Sequence, residues 1–185
     1  MDPAIAPILA ETVWFVVCLG YVLLAGMGTF WAIVWPEGQA VRRLRGLAVA
    51  GLALISLGTV TDALVGILMG EYPRGEVVTD ESGTWLLVRL AALAIAGFFG
   101  AELLSHPVRG VRRVVVLALI IVLTITLVVT STAMASPQVV AIAATVGVYL
   151  LALAAWLGSL VAVAALLVAG WFACRPTMLG PEPAA

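Results

Sequence analysis

Residues 85–104 read WLLVRLAALAIAGFFGAELL, an apolar run interrupted near its start by Arg89. A helix of this length spans about 30 Å, the thickness of the hydrocarbon core of a bilayer. An arginine inside that core costs about 3 kcal/mol on insertion scales, so it needs a partner, a path to the interface or a water-filled cavity. The stretch therefore predicts a membrane-spanning helix whose one charge is balanced from elsewhere in the chain.

The composition extends that prediction to the whole chain. Of its 185 residues, 64% are hydrophobic and 10% are charged, and the mean hydropathy is +1.21. Because soluble domains carry about 25% charged residues, we predict one integral membrane domain over residues 1–174 and a short disordered cytoplasmic tail over residues 175–185. A net charge of −1 indicates no nucleic-acid partner.

Polar breaks divide the chain into five apolar segments, which predict an all-α bundle of five transmembrane helices in the lipid bilayer. No charged residue or histidine occurs from Val114 to Cys174, so the split between the last two segments rests on Ser136 and Pro137. The last segment is longer than a bilayer requires, and we expect it to tilt or to begin along the interface. The predicted spans are residues 11–35, 47–70, 84–104, 114–132 and 139–172.

Arginine placement predicts the orientation of the bundle. The connections that follow spans one and three hold three arginines each, and one arginine follows span five. The opposite connections hold Arg74 among acidic residues or no charge. Because cytoplasmic connections are enriched in arginine, the N-terminus is predicted to lie outside and the C-terminus in the cytoplasm. The arginines concerned are Arg42, Arg43, Arg45, Arg109, Arg112, Arg113 and Arg175.

Two residues of opposite charge are predicted to meet inside the membrane. Asp62 lies about eight residues from the outer end of span two, and Arg89 about five residues from the outer end of span three, so their depths agree within one helical turn. The pair either orients two helices or lines a polar entrance open to the outside. Trp156, the one tryptophan well inside a span, joins this predicted pathway, and a resemblance described below adds Tyr149.

Motifs for enzymatic chemistry are absent from the sequence. His106 is the only histidine, which excludes a bis-histidine haem site within one chain. No zinc-like cluster, nucleophile–base pair or phosphate-binding glycine loop occurs, so we expect no enzyme. One kind of metal site remains, a Cu(I) site on the outer side with the soft ligands Cys18, Met69 and Met134. The alternative is that these three are ordinary apolar residues of the spans.

Several segments resemble, in order along the chain, the copper-resistance D family of membrane proteins. Residues 149–160 (YLLALAAWLGSL) resemble that family's HLLAAALWLGGL helix, and residues 85–90 (WLLVRL) resemble its LLLVRLAL helix, arginine included. Residues 34–36 (VWP) are similar to the exit of its first helix, and residues 42–48 (RRLRGLA) to its RRLRRLAL segment. Residues 129–132 (VTST) stand where the family has LTGH.

That resemblance implies copper handling at a bacterial cytoplasmic (inner) membrane, by import or delivery, with a copper ion or a periplasmic copper-binding protein as partner. Two family histidines are matched here by Thr132 and Tyr149, and an aspartate by Val146, so the soft ligands would have to replace the imidazoles. One alternative is a non-enzymatic accessory subunit of a larger membrane complex, such as a respiratory oxidase, that lost the copper ligands. Another is a small-molecule or proton-coupled transporter.

Overall fold

The structure, a computed structural model, describes residues 5–69, 81–131 and 137–173, and five long helices make up most of them. Each helix contributes a segment that is long and apolar enough to cross a membrane. The predicted all-α bundle of five transmembrane helices is therefore confirmed. The helices are α1 (Ile5–Thr29), α2 (Arg42–Met69), α3 (Glu81–Ser105), α4 (Val111–Ser131) and α5 (Pro137–Ala173).

All five helices begin earlier than their apolar segments predict. The largest differences are at α1, which starts at Ile5 instead of residue 11, and at α2, which starts at Arg42 instead of residue 47. A helix satisfies its own backbone hydrogen bonds in the headgroup region as well as in the hydrocarbon, so it continues until a turn ends it. Several of the arginines assigned to connections consequently lie in the first turns of helices.

The last helix is continuous over 37 residues. At 1.5 Å per residue it is about 55 Å long, compared with a hydrocarbon core of about 30 Å. If the first residues of this segment lie along the interface, as the sequence analysis considered, they do so as part of the same helix. The helix must therefore tilt or extend beyond the hydrocarbon. The predicted tail over residues 175–185 lies outside the described residues.

The first helix lies at the centre of the bundle. It packs against α2, α5 and α4, and α3 completes the ring by packing on α4 and, less extensively, on α2. Half of the most apolar segment of α1 is buried within the chain, compared with 17% for α5. The middle of α1 is therefore enclosed by other helices, whereas α5 presents most of its surface outward.

Glycines set the closest helix crossings. A Cβ atom added at Gly158 of α5 would lie 2.3 Å from the Cα of Gly26 in α1, and one added at Gly26 would lie 2.5 Å from the carbonyl oxygen of Ala154. The α1–α2 crossing is similar, since a Cβ at Gly20 would lie 2.4 Å from the backbone N of Ile55. At such distances only glycine lets two helix backbones meet.

Two connections meet at one end of the bundle. α1 continues into a π-helical turn, Phe30–Val34, after which the N–H of Val108 donates to the carbonyl oxygen of Pro36 at 3.2 Å. Glu37 forms an ion pair with Arg109, so the α1–α2 and α3–α4 connections lie side by side. We call this the arginine-rich end and the opposite one the far end. The predicted orientation requires the arginine-bearing connections to share one end, and they do.

Candidate functional site

Arg89 is the largest fully buried side chain that the structure describes. Together with Leu86 and Leu93, which are also buried, it forms the inward face of α3 at the three- and four-residue spacing of a helix. Its Cα lies eight residues after the start of α3, about 12 Å from the far end of that helix. The chain thus holds a permanent charge within its transmembrane interior.

The guanidinium of Arg89 binds α4. Its Nη2 donates to the carbonyl oxygen of Thr126 at 2.9 Å and to the hydroxyl oxygen of Thr130. Thr130 is the penultimate residue of α4, and helical side chains lean toward their own N-terminus, which for α3 is the far end. The arginine therefore runs along α4 toward the far end, a snorkelling path enclosed by protein instead of lipid.

A second polar contact joins α4 to the central helix. The hydroxyl oxygens of Tyr21 on α1 and Thr124 on α4 lie 2.6 Å apart, and both side chains are buried. Thr124 also donates to the carbonyl oxygen of Ile120 in its own helix at 2.7 Å. The threonines of α4 thus donate to carbonyl oxygens of their own helix and accept hydrogen bonds from side chains of two neighbouring helices.

Asp62 and Cys18 face the same region from α2 and α1. Both are partly buried, and the charge of Arg89 acts on both. Within the described part of the chain no hydrogen bond or ion pair joins Asp62 to Arg89 directly. The predicted pair is thus an electrostatic one at longer range, because α4 supplies the acceptors that the guanidinium contacts.

Thr59 adds a buried hydroxyl to α2. Its exposed fraction is 0%, and its Oγ1 has no hydrogen-bond partner among the residues that the structure describes. It lies three residues before Asp62 and therefore on nearly the same face of the helix. Four helices thus place a thiol, a carboxylate, a guanidinium and several hydroxyls in the half of the bundle nearer the far end.

Tyr149 and Trp156 do not belong to this site, and the prediction that included them is corrected. Their exposed fractions are 65% and 63%, so both face outward from α5. The reason is the contact between Gly158 and Gly26: at 100° per residue, Trp156 and Tyr149 project about 160–180° away from Gly158. Docking α5 through its glycine turns both aromatic rings away from the other helices.

The proposed soft ligands are only partly described. Cys18 is a free cysteine on α1. Met69 is the last residue of α2, but its side chain falls outside the described part, as do Met134 and Thr132 altogether. The three-ligand Cu(I) site therefore stays a prediction. Across residues 5–69, 81–131 and 137–173, no three His, Cys, Asp or Glu side chains form a group that could hold a metal.

Sequence reasoning did not single out Tyr21 and Thr59. A tyrosine or threonine in an apolar span has no distinctive pattern, since a threonine hydroxyl can bond its own helix and a tyrosine can lie at an interface. The sequence does contain one indication that Tyr21 belongs to the site. Tyr21 lies three residues after Cys18, so the two residues share a face of α1.

Comparisons with protein-family models, curated proteins and solved structures find no match to this chain.

Proposed function

We propose that the chain is a copper-resistance D-type protein that binds Cu(I) at the outer side of a bacterial cytoplasmic membrane, for import or delivery. The observation that supports this proposal most is the position of Cys18, a free, partly buried cysteine in the half of the bundle toward the far end. With the N-terminus outside, the far end is the outer one. The thiol is then placed where copper would enter.

The charges of the site accommodate Cu(I) at a thiolate. Arg89 carries +1 and ionised Asp62 carries −1, so their sum is zero while the thiol of Cys18 is neutral. When Cu(I) binds, the S–H bond breaks, the sulfur–copper bond forms and the proton leaves, so the copper–thiolate unit is also neutral. Binding therefore leaves the net charge of the buried site unchanged, provided that the proton departs.

The remaining ligands would come from the far end. Met69 follows Asp62 by seven residues, two turns further along the same helix. Met134 falls in the sequence between α4 and α5, outside the residues that the structure describes. Thioethers at these positions, together with the Cys18 thiolate, form a donor set of the soft type that Cu(I) prefers.

The first test is a titration of the purified protein with Cu(I) against a competing chelator. We expect one Cu(I) per chain in the wild type, and Cys18→Ser should weaken binding at least about tenfold, the equivalent of 1.4 kcal/mol. A Cys18→Ser, Met69→Leu, Met134→Leu triple variant should bind no copper. Met27→Leu is the matched control, since Met27 is fully buried in the core near the arginine-rich end. Binding no higher than the detergent blank, or equal binding by wild type and Cys18→Ser, would contradict the proposal.

A second candidate function is that of an accessory subunit, and the position of Trp156 favours it. Trp156 lies near the middle of the apolar segment Ala141–Val168 and faces outward. Tryptophan prefers the membrane interface, and an indole N–H in hydrocarbon lacks an acceptor. Tyr149, two turns earlier on the same face, presents a hydroxyl in the same way. A helix of another membrane protein that carries acceptors at these depths would satisfy both.

This second candidate predicts a complex that depends on the outer face of α5. On native gels of mildly solubilised membranes, the wild type should migrate in a larger assembly, and a Tyr149→Phe, Trp156→Leu variant should migrate as the single chain. Phe98→Leu is the control, because Phe98 is an exposed aromatic residue on α3. A wild type that migrates as the single chain would rule this function out.

A further inference from the structure

An apolar cleft of about 100 Å³ lies in the half of the bundle toward the arginine-rich end. Four helices form its walls, and every residue that lines it is apolar or glycine. It extends from Trp31 and Val108 at the arginine-rich end to Leu24 and Leu123 near the middle of the bundle. Leu24 and Trp31 are seven residues apart, so the cleft is about 10 Å long, which suits a segment of an alkyl chain.

The cleft opens between α2 and α3. These helices pack less extensively on each other than α1 does on α2 or α3 on α4. Val49 of α2 is 50% exposed, and Gly100 of α3 is partly exposed with open space where a Cβ would stand. A hydrocarbon chain in the surrounding bilayer would therefore enter sideways without meeting a polar side chain.

Trp31 marks how far the cleft reaches toward the interface. Its side chain is 6% exposed, and its Nε1 has almost no accessible surface, so the ring borders the cleft through carbon atoms. The depth matches the ester region of a lipid, since Trp31 lies where α1 approaches the interface.

The charge at this end of the bundle favours an anionic occupant. The described residues at this end include six arginines and two glutamates, a net charge of +4 when the exposed His106 is neutral. Such an excess attracts anionic headgroups. The residues are Arg42, Arg43, Arg45, Arg109, Arg112 and Arg113, with Glu37 and Glu102.

We propose that this cleft is a binding site for one anionic phospholipid from the leaflet at the arginine-rich end. One acyl chain fills the cleft, and the phosphate of the same lipid lies among the arginines. This site is separate from the Cys18 region and holds whether or not the chain binds copper.

The test counts retained lipid. The full chain is reconstituted in vesicles of equal phosphatidylglycerol and phosphatidylcholine, extracted in mild detergent and examined by native mass spectrometry. We expect one phosphatidylglycerol per chain, retained about fivefold or more over phosphatidylcholine. Gly100→Leu, which places a side chain in the cleft, should reduce this retention about fivefold, whereas Gly97→Leu should not, since Gly97 has the same open space but does not line the cleft.

Equal retention of the two lipids, or wild-type retention by Gly100→Leu, would overturn the proposal. An isoprenoid quinone found in place of phospholipid when the chain is purified from native membranes would overturn it as well.

Discussion

Replacing Gly158 with leucine should lower the free energy of unfolding by about 3 kcal/mol or more, because it forces apart the two helices that form the closest crossing in the bundle. Even a methyl group at this position would lie 2.3 Å from the Cα of Gly26 and 2.6 Å from its carbonyl carbon. These are backbone atoms, which cannot rotate away. The α1–α5 interface must therefore separate along its length, with loss of the packing around Ala154 and Ala162, both of which are buried.

The measurement is the loss of helical circular dichroism in mixed micelles as the fraction of denaturing detergent rises. Gly158→Ala should fall between the wild type and Gly158→Leu. Gly170→Leu is the matched control on the same helix, since Gly170 is exposed and has open space where a Cβ would stand. We expect this control to unfold with the wild type. If leucine lowered the stability equally at positions 158 and 170, the close contact between Gly158 and Gly26 would be contradicted.

The second large effect is expected from Asp62→Lys. This change puts a second positive charge into the region where Arg89 is already fully buried, and a like charge in a site of low dielectric constant costs on the order of 3 kcal/mol. Asp62→Asn removes the negative charge without adding a positive one, so it should cost on the order of 1 kcal/mol. The lysine variant should accumulate poorly in membranes.

A double-mutant cycle separates this electrostatic effect from simple steric damage. In an Arg89→Gln background, Asp62→Lys should be less destabilising than in the wild type by about 1 kcal/mol or more. Glu11→Lys is the control for a charge reversal, because Glu11 is exposed on α1; surface charge changes are worth about 0–1 kcal/mol. If Asp62→Lys costs the same with and without Arg89, the two residues are not coupled.

The five spans could be predicted from the sequence because the length of each apolar segment and the positions of the arginines can be read directly along the chain. The rotation of α5 about its own axis could not be predicted. That helix is apolar on all sides, so periodicity does not distinguish lipid from protein, and only the small residues around Gly158 mark the buried face. Trp156 was assigned to the interior because it lies well inside a span, and Tyr149 because it matches a histidine in the segment that resembles the copper-resistance D proteins, but the glycine contact turns both outward.

The immediate environment of Arg89 shows a second limit of sequence reasoning. Its burial and its electrostatic relation to Asp62 follow from depth and charge alone. Its direct acceptors are a main-chain carbonyl at Thr126 and the hydroxyl of Thr130. Every residue has a carbonyl group, so a sequence cannot indicate which one a guanidinium will reach. The helix starts show the same limit, since a helix ends at a turn and not where its apolar segment ends.

The most direct measurement on the central proposal is the X-ray absorption spectrum of the Cu(I)-loaded protein and of its Cys18→Ser variant. The proposed site predicts copper surrounded by sulfur in the wild type, with one sulfur neighbour fewer, or no bound copper, in the variant. A copper environment of nitrogen and oxygen only, or an unchanged number of sulfur neighbours after the substitution, would contradict Cu(I) binding at Cys18.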